Sequence, residues 1–264
     1  MYISYYFPVL ILLLLSETPN AQQQQDPTTL NGGSIMAMSG ENCVAIAVDK
    51  RFGSGPQMIH VKPRTVLCPN SQVMVGLVGL EGDVQTLAHE LSTHIDEKVS
   101  RYSGFDFSGN MGLEVRKKIS PKSTSILLSH LLYSKRNSPY YVEPIVAGLE
   151  LVTQSKQEKD EGDGGSLENE RIKRYVPFLC AQDLIGAQSK SNAFVCSGAA
   201  SKSLYGCAEA LWRPNLKPDE LLQICGRAFV SALERDCLSG YGAVIYLMEG
   251  GKGITQYDVS CRND

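Results

Sequence analysis

The sequence predicts an α+β fold of four layers, two antiparallel sheets face to face with helices on each outer side. Three observations carry that reading. Strand-like and helix-like stretches come in segregated blocks, strands then two helices, strands then two helices, then strands, and do not alternate as βαβ units would. The helical stretches carry apolar residues three or four apart, which gives each a single face to bury. Residues 72–79 (QVMVGLVG) are rich in β-branched residues and end at glycine, as a buried strand does.

In chain order, 35–38 and 43–49 read as a hairpin turning at Ser39-Gly40-Glu41-Asn42, and two short extended pieces follow at 58–61 and 65–68. From 81 to 102 the residues Val84, Leu87, Leu91, Ile95 and Val99 fall on one helical face. Pro121 opens a second helix, with Ser123-Thr124-Ser125 at its start, a core of Ile126, Leu127, Leu128, Leu131 and Leu132, and Lys135 and Arg136 at the end where cations are favoured. Strands resume at 141–148, 176–185 and 193–196. Helices over 201–212 and 218–236 precede a last hairpin, 242–249 with 254–260, turning at Gly250-Gly251-Lys252-Gly253.

Between the strands at 141–148 and 176–185 lies a stretch, 152–174, with six acidic and five basic residues and almost no apolar content. It buries too little to repay the entropy of ordering and is expected to be a solvated, mobile loop. The expected organisation is an N-terminal extension over 1–30 and one domain over 31–264 interrupted by that loop.

Composition sets further bounds. The chain has 264 residues, 43% hydrophobic and 20% charged, enough for a substantial core in one domain or at most two. A net charge of −3 offers no electrostatic footprint for nucleic acid. Eight cysteines make an even count, but no two are closer than eleven residues and no CxxC occurs, so the usual zinc patterns are missing. Several sit in apolar runs, where a free thiol behaves as a small hydrophobe. The apolar run 5–15 and the residues after it, Ser16 to Ala21, look like a secretory core and cleavage site, yet no Lys or Arg precedes Lys50 and the chain has no N-x-[ST] sequon. The run is too short to span a membrane. Both the secretory and the non-secretory reading stand at this point.

Six blocks, NGGSIMAM with NCVAIAVDKRFG, MVGLVGLEGDVQTL, LLYSKRNSPYYVEPIVAGLE, PFLCAQDLIG, SGAASKSLYGCAEALWRPNL and ERDCLSGYGAVIYLME, together resemble the beta-type subunits of the eukaryotic proteasome core particle from about Asn31 to Asp264. The resemblance implies the αββα sandwich of N-terminal-nucleophile hydrolases. Active members of that family attack with an N-terminal threonine whose own amine is the base, tuned by a lysine and an aspartate and supported by a serine and an aspartate-serine pair. Carried over with Asp49 as the anchor, the resemblance puts Gly33 at the threonine position and Thr65 at the lysine position. Asp49, Ser197, Asp236 and Ser239 match the supporting residues.

Glycine has no hydroxyl and Thr65 carries no charge, so the resemblance implies a non-catalytic subunit; losing such a nucleophile costs about a millionfold in turnover. On the residues themselves, Asp49 is expected to accept backbone hydrogen bonds or pair with Arg51, Asp236 to Ser239 to form a helix-to-strand turn, and Gly33 to mark a close backbone approach. The resemblance also implies no cofactor and no metal. Its partners would be other beta subunits in a seven-membered ring, alpha-ring subunits and the opposite beta ring, in cytoplasm and nucleus. In the family the segment like 180–187 faces an active neighbour, so Asp183 is expected to line the pocket of the trypsin-like subunit, although many relatives carry cysteine where this chain has Ala187.

Two rivals remain. An active hydrolase could start at Ser34, Thr28 or Thr29, but Ser34 is one residue out of register, which turns its side chain to the opposite face of a strand. Thr28 and Thr29 come too early and lack a preceding glycine. A secreted binding protein on the same fold is the other.

Overall fold

The computed structural model describes residues 26–102, 119–155 and 171–261. Its elements run α1 (Pro27–Leu30), β1 (Ser34–Gly40), β2 (Cys43–Asp49), β3 (Arg51–Ser54), β4 (Gln57–Val61), β5 (Val66–Asn70), β6 (Val73–Gly79), α2 (Glu81–Tyr102) and α3 (Pro121–Ser134). There follow β7 (Val142–Ser155), β8 (Arg171–Gln182), β9 (Gln188–Ser191), β10 (Phe194–Gly198), α4 (Ser201–Leu211), α5 (Pro218–Leu233), β11 (Ala243–Glu249) and β12 (Gly253–Val259).

One five-stranded sheet has the order β10-β1-β2-β11-β12, the other β5-β6-β7-β8-β9, and β3 pairs only with β4. Every ladder in the two large sheets is antiparallel. The sheets meet through Ile35, Ala37, Val44, Ile46 and Val48 on one side and Met74, Val78, Ile145, Ala147 and Leu179 on the other. The opposite face of the first sheet, with Met36, Met38, Ala45 and Ala47, packs on α4 and α5 through Leu204, Ala208, Leu221, Cys225 and Phe229. The outer face of the second, with Val73, Val75 and Leu77, packs on α2 and α3 through Val84, Leu87, Leu91, Leu128 and Leu132. This is the expected four-layer αββα sandwich. It also explains why β1 and β2 show no polar alternation, since both their faces are covered.

Helix α2 spans the residues its periodicity predicts. Helix α3 begins at Pro121, as the sequence predicts, with the Ser120 hydroxyl accepting from the Ser123 amide at 3.1 Å as its cap. Helix α5 starts at Pro218, with the Glu220 carboxylate reaching back to the Lys217 amide at 3.3 Å.

Two expectations need correcting, and some features went unforeseen. The strand pair β7–β8 continues well into the charged stretch: Leu151 lies opposite Tyr175, Val152 opposite Arg174 and Ser155 opposite Arg171. Cross-strand backbone bonds order those residues despite their polarity, and 156–170 lie outside the described residues. The boundary at Asn31 falls inside packed structure, because α1 is tied to the β3–β4 turn by the Gly55 amide donating to the Leu30 carbonyl at 2.8 Å. Strand β9 and the pairing of β3 with β4 have no sequence signal, being short and polar or exposed. The apolar run 5–15 lies outside the described residues.

What matters for the site is register. Ile35 pairs with Val48 and Ser34 with Gly198, so the start of β1 lies beside the end of β2 and the end of β10. Asp49 is opposite Ala243, just past the turn that follows α5. Four chain segments therefore converge at Gly33.

Candidate functional site

Gly33 enters β1 in the left-handed region, at φ +94°, where a side chain is strained. Its amide donates to the Leu238 carbonyl at 3.0 Å and its carbonyl accepts from the Ala199 amide at 2.9 Å. A Cβ built here falls on the Arg64 guanidinium, so the crowding comes from a side chain and not from the backbone approach that the sequence suggests. Close backbone approach belongs instead to its neighbours, Gly32 against the Leu238 carbonyl and Gly198 against the Gly33 carbonyl.

Asp49 is fully buried at the end of β2. Its Oδ1 accepts from the Ser34 amide at 3.2 Å and from Arg64 Nε at 3.3 Å, while Oδ2 has no hydrogen-bond partner among the described residues. Burial pushes the carboxyl up to about 6, against the opposing pull of the Arg64 charge and of the Ser34 and Gly240 amides. Of the two expectations for Asp49, the backbone hydrogen bond is met by the Ser34 amide, and the ionic partner is Arg64 in place of Arg51. Arg51 spends its donors on carbonyls, those of Leu238 at 3.2 Å, Gly55 at 2.9 Å and Pro56 at 3.1 Å.

The sequence also suggests a site without a cation, and the structure corrects this. Thr65, at the lysine position of the resemblance, is half-buried, and its carbonyl accepts from the Leu77 amide at 3.0 Å. The preceding residue supplies the charge instead. Arg64, only 5% exposed, reaches Asp49 and stands over Gly33. It escapes sequence reading because it follows Lys62 and Pro63, both exposed, in what looks like a solvated basic run.

Ser34 points to the other face, as its register requires. It is buried; its Oγ lies 2.8 Å from Ser239 Oγ and accepts from the Ala200 amide at 2.9 Å. Its nitrogen is an amide donating to Asp49, so within the intact chain this serine has no free amine to act as a base. Ser197, opposite Ile35, lies on the inter-sheet face and donates to Glu143 Oε2 at 2.7 Å, the same oxygen that the Gly198 amide reaches at 3.1 Å. Nothing in the sequence marks Glu143 as its partner.

Asp236 and Ser239 lie in the turn between α5 and β11 and line a cavity of about 480 Å³ with Arg51, Arg235 and Cys261. Asp236 Oδ1 accepts from the Leu238 amide at 3.3 Å, and its buried Oδ2 has no partner among the described residues. The structure thus gathers Gly33, Ser34, Asp49, Ser239 and the unforeseen Arg64. It sets Ser197 apart, on Glu143 of the facing sheet, and Asp236 behind the turn.

Asp183 is remote, exposed in the β8–β9 turn, where its Oδ1 accepts from the Ile185 and Ala187 amides at 3.0 and 2.7 Å. Among the described residues, no three His, Cys, Asp or Glu side chains are placed to hold a metal ion, and no helix is long and apolar enough to cross a membrane. All eight cysteines are free, and burial raises the thiols of Cys43, Cys196 and Cys225 to about 12.

Comparison with known proteins places the chain in a family. Residues 29–156 and 171–248 match the family described as Proteasome subunit. The chain is 34% identical over 234 residues to the Proteasome subunit beta type-3 of Drosophila melanogaster, covering 89% of this chain and 97% of the relative. It is 34% identical over 232 residues to that of Saccharomyces cerevisiae, covering 88% and 96%. It is 35% identical over 218 residues to that of Oryza sativa subsp. japonica, covering 83% and 90%. On a family match across most of its length and on relatives aligned nearly end to end, the chain belongs to the proteasome subunit family.

Proposed function

We propose that this chain is a non-catalytic beta-type subunit of the proteasome core particle, building the ring and the wall of the proteolytic chamber. The observation that carries the reading is at Gly33. The residue entering β1 has no hydroxyl, and the space its side chain would take is filled by the Arg64 guanidinium. The threonine hydroxyl, the attacking part of an N-terminal nucleophile, is missing, while Ser34 is turned away and bonded to Ser239.

The proposed arrangement is a seven-membered beta ring, with two beta neighbours, an alpha-ring subunit and the opposite beta ring as partners, in cytoplasm and nucleus. Rings of unlike subunits require each member to prefer its own neighbours, and a member without chemistry can supply that preference. In this role Asp49, Ser197, Asp236 and Ser239 hold the cleft end of the sandwich together and need no cofactor. The domain runs from about residue 27 to the C-terminal strand. Sedimentation of tagged protein from cells tests this reading. Co-migration with a particle many times heavier than 28.8 kDa is expected, and a free chain or a secreted one would overturn it.

Asp183 is proposed to line the substrate pocket of a neighbouring trypsin-like subunit. It is exposed, and its carboxylate is fixed by two amides of its own turn. Asp183→Ala should lower cleavage after basic residues in reconstituted particles; unchanged kinetics would remove the assignment.

A further inference from the structure

A guanidinium is kept in a protein interior only where its donors find acceptors and its charge a counter-charge. Arg64 meets both conditions with groups from four pieces of the chain. Its Nη2 donates to the carbonyls of Asn31 and Arg51, each at 2.6 Å, and its Nε to Asp49 Oδ1 at 3.3 Å. Its Nη1 lies 3.7 Å from Glu81 Oε2, and the guanidinium carbon sits 5.9 Å from the centre of the Phe52 ring. The segment before β1, the end of β2, strand β3 and the start of α2 are thereby held to one side chain.

The segment before β1 has further ties at the same place. The Asn31 side chain donates to the Gly53 carbonyl at 3.0 Å and accepts from the Glu81 amide at 3.0 Å, completing the first turn of α2 from outside the helix. The Gly55 amide holds the Leu30 carbonyl at 2.8 Å.

We propose that Arg64 is a positioning residue that seats residues 27–32 against β3 and the start of α2 and fills the space into which a side chain at position 33 would project. The nucleophile position is thus closed twice, by the glycine and by the chain's own cation. The proposal deepens the non-catalytic reading and rests on it. Its first consequence is that Gly33→Thr alone does not reopen the site, since the new side chain meets both Arg64 and an unfavourable φ. Its second is that residues 27–32 behave as a strap whose hold depends on Arg64.

Hydrogen exchange on the full chain, purified with its native partners, tests this. In Arg64→Lys, which keeps the charge beside Asp49 but not the planar fork spanning the Asn31 and Arg51 carbonyls, the Gly55 and Glu81 amides, which bond to the strap, should exchange roughly tenfold faster, while Ala45 and Ile245 in the central strands stay within about twofold of the parent. Should that variant not be recovered folded, Gly33→Ala displaces the guanidinium from the other side and gives the same reading. Unchanged protection of Gly55 and Glu81, or uniform acceleration across Ala45 and Ile245 as well, would overturn the proposal. Labelling of this chain by a threonine-directed epoxyketone would sink the non-catalytic reading separately, without altering what the exchange data say about the strap.

Discussion

Strand β1 ends at Gly40 near carboxylates that keep contact with solvent, Glu41 and Glu249, and starts after Gly33 beside a fully buried ion pair, although the two ends are only seven residues apart. At the Gly40 end, the Trp212 indole donates to the Ser39 carbonyl at 3.1 Å and meets the Phe194 ring edge-on, with centroids 6.2 Å apart. The buried titratable group there, Cys43, has its thiol held up at about 12, by burial first and then by the Glu249 and Glu41 charges, so it stays neutral. At the Gly33 end, two ionisable side chains are buried together and one of them, Asp49, is pushed up to about 6. Among the described residues this buried ion pair lies where the resemblance would place a catalytic apparatus, and its cation is Arg64, one residue before Thr65.

The sharpest way to break this contrast is Arg64→Met, which leaves the Asp49 carboxylate buried without its counter-charge. A loss of about 3–5 kcal/mol is expected at pH 7, read as a shift in the urea midpoint. The loss should shrink clearly at pH 4.5, where Asp49 takes up a proton and no longer needs the guanidinium. The sign for the parent protein follows from the same group. Its folded pKa of about 6 lies above the ordinary 3.8, so the folded state binds the extra proton between those values. The contribution of Asp49 to stability is therefore greatest below pH 4 and falls by about 3 kcal/mol as the pH rises through 6. Comparing parent and Asp49→Asn urea midpoints between pH 4 and 7 isolates that fall; parallel profiles would remove it.

At the other end, Trp212→Ala removes aromatic packing and one hydrogen bond, and about 2–3 kcal/mol is expected for this half-buried residue. The cost should be the same at pH 4.5 and pH 7, and a pH-dependent cost would erase the distinction between the two ends. The smallest effect belongs to Ser34→Ala. It leaves the Ala200 amide without its acceptor and Ser239 without its partner, about 1–2 kcal/mol with no pH dependence. Enhanced or lost peptidase activity in that variant would revive Ser34 as a functional nucleophile.

The layers were legible in the sequence because they rest on periodicity. Val84, Leu87, Leu91 and Ile95 announce α2, and the closed apolar runs of β1, β2 and β6 announce strands covered on both faces. The polar seam was legible only in part. Asp49 and Ser239 stand out on the resemblance, but Arg64 follows an exposed lysine and proline, Asn31 looks like a loop residue, and Glu143 precedes a proline. Their roles come from partners far along the chain, at separations such as 50 residues for Asn31 with Glu81 and 54 for Ser197 with Glu143. Local pattern carries no information at such distances. The continuation of β7 and β8 to Ser155 and Arg171 was hidden for a related reason. Charge content argues for a solvated loop, whereas antiparallel register extends a hairpin for as long as its backbones can pair.

The central claim is that position 33 can neither attack a peptide bond nor be exposed to do so. Intact mass of this chain from purified particles, taken before and after treatment with a threonine-directed epoxyketone, bears on it most directly. The chain is expected to retain Asn31-Gly32-Gly33 and to gain no adduct while active neighbours are labelled. A mature chain beginning at Ser34, or one that carries the adduct at its amino end, would contradict the account.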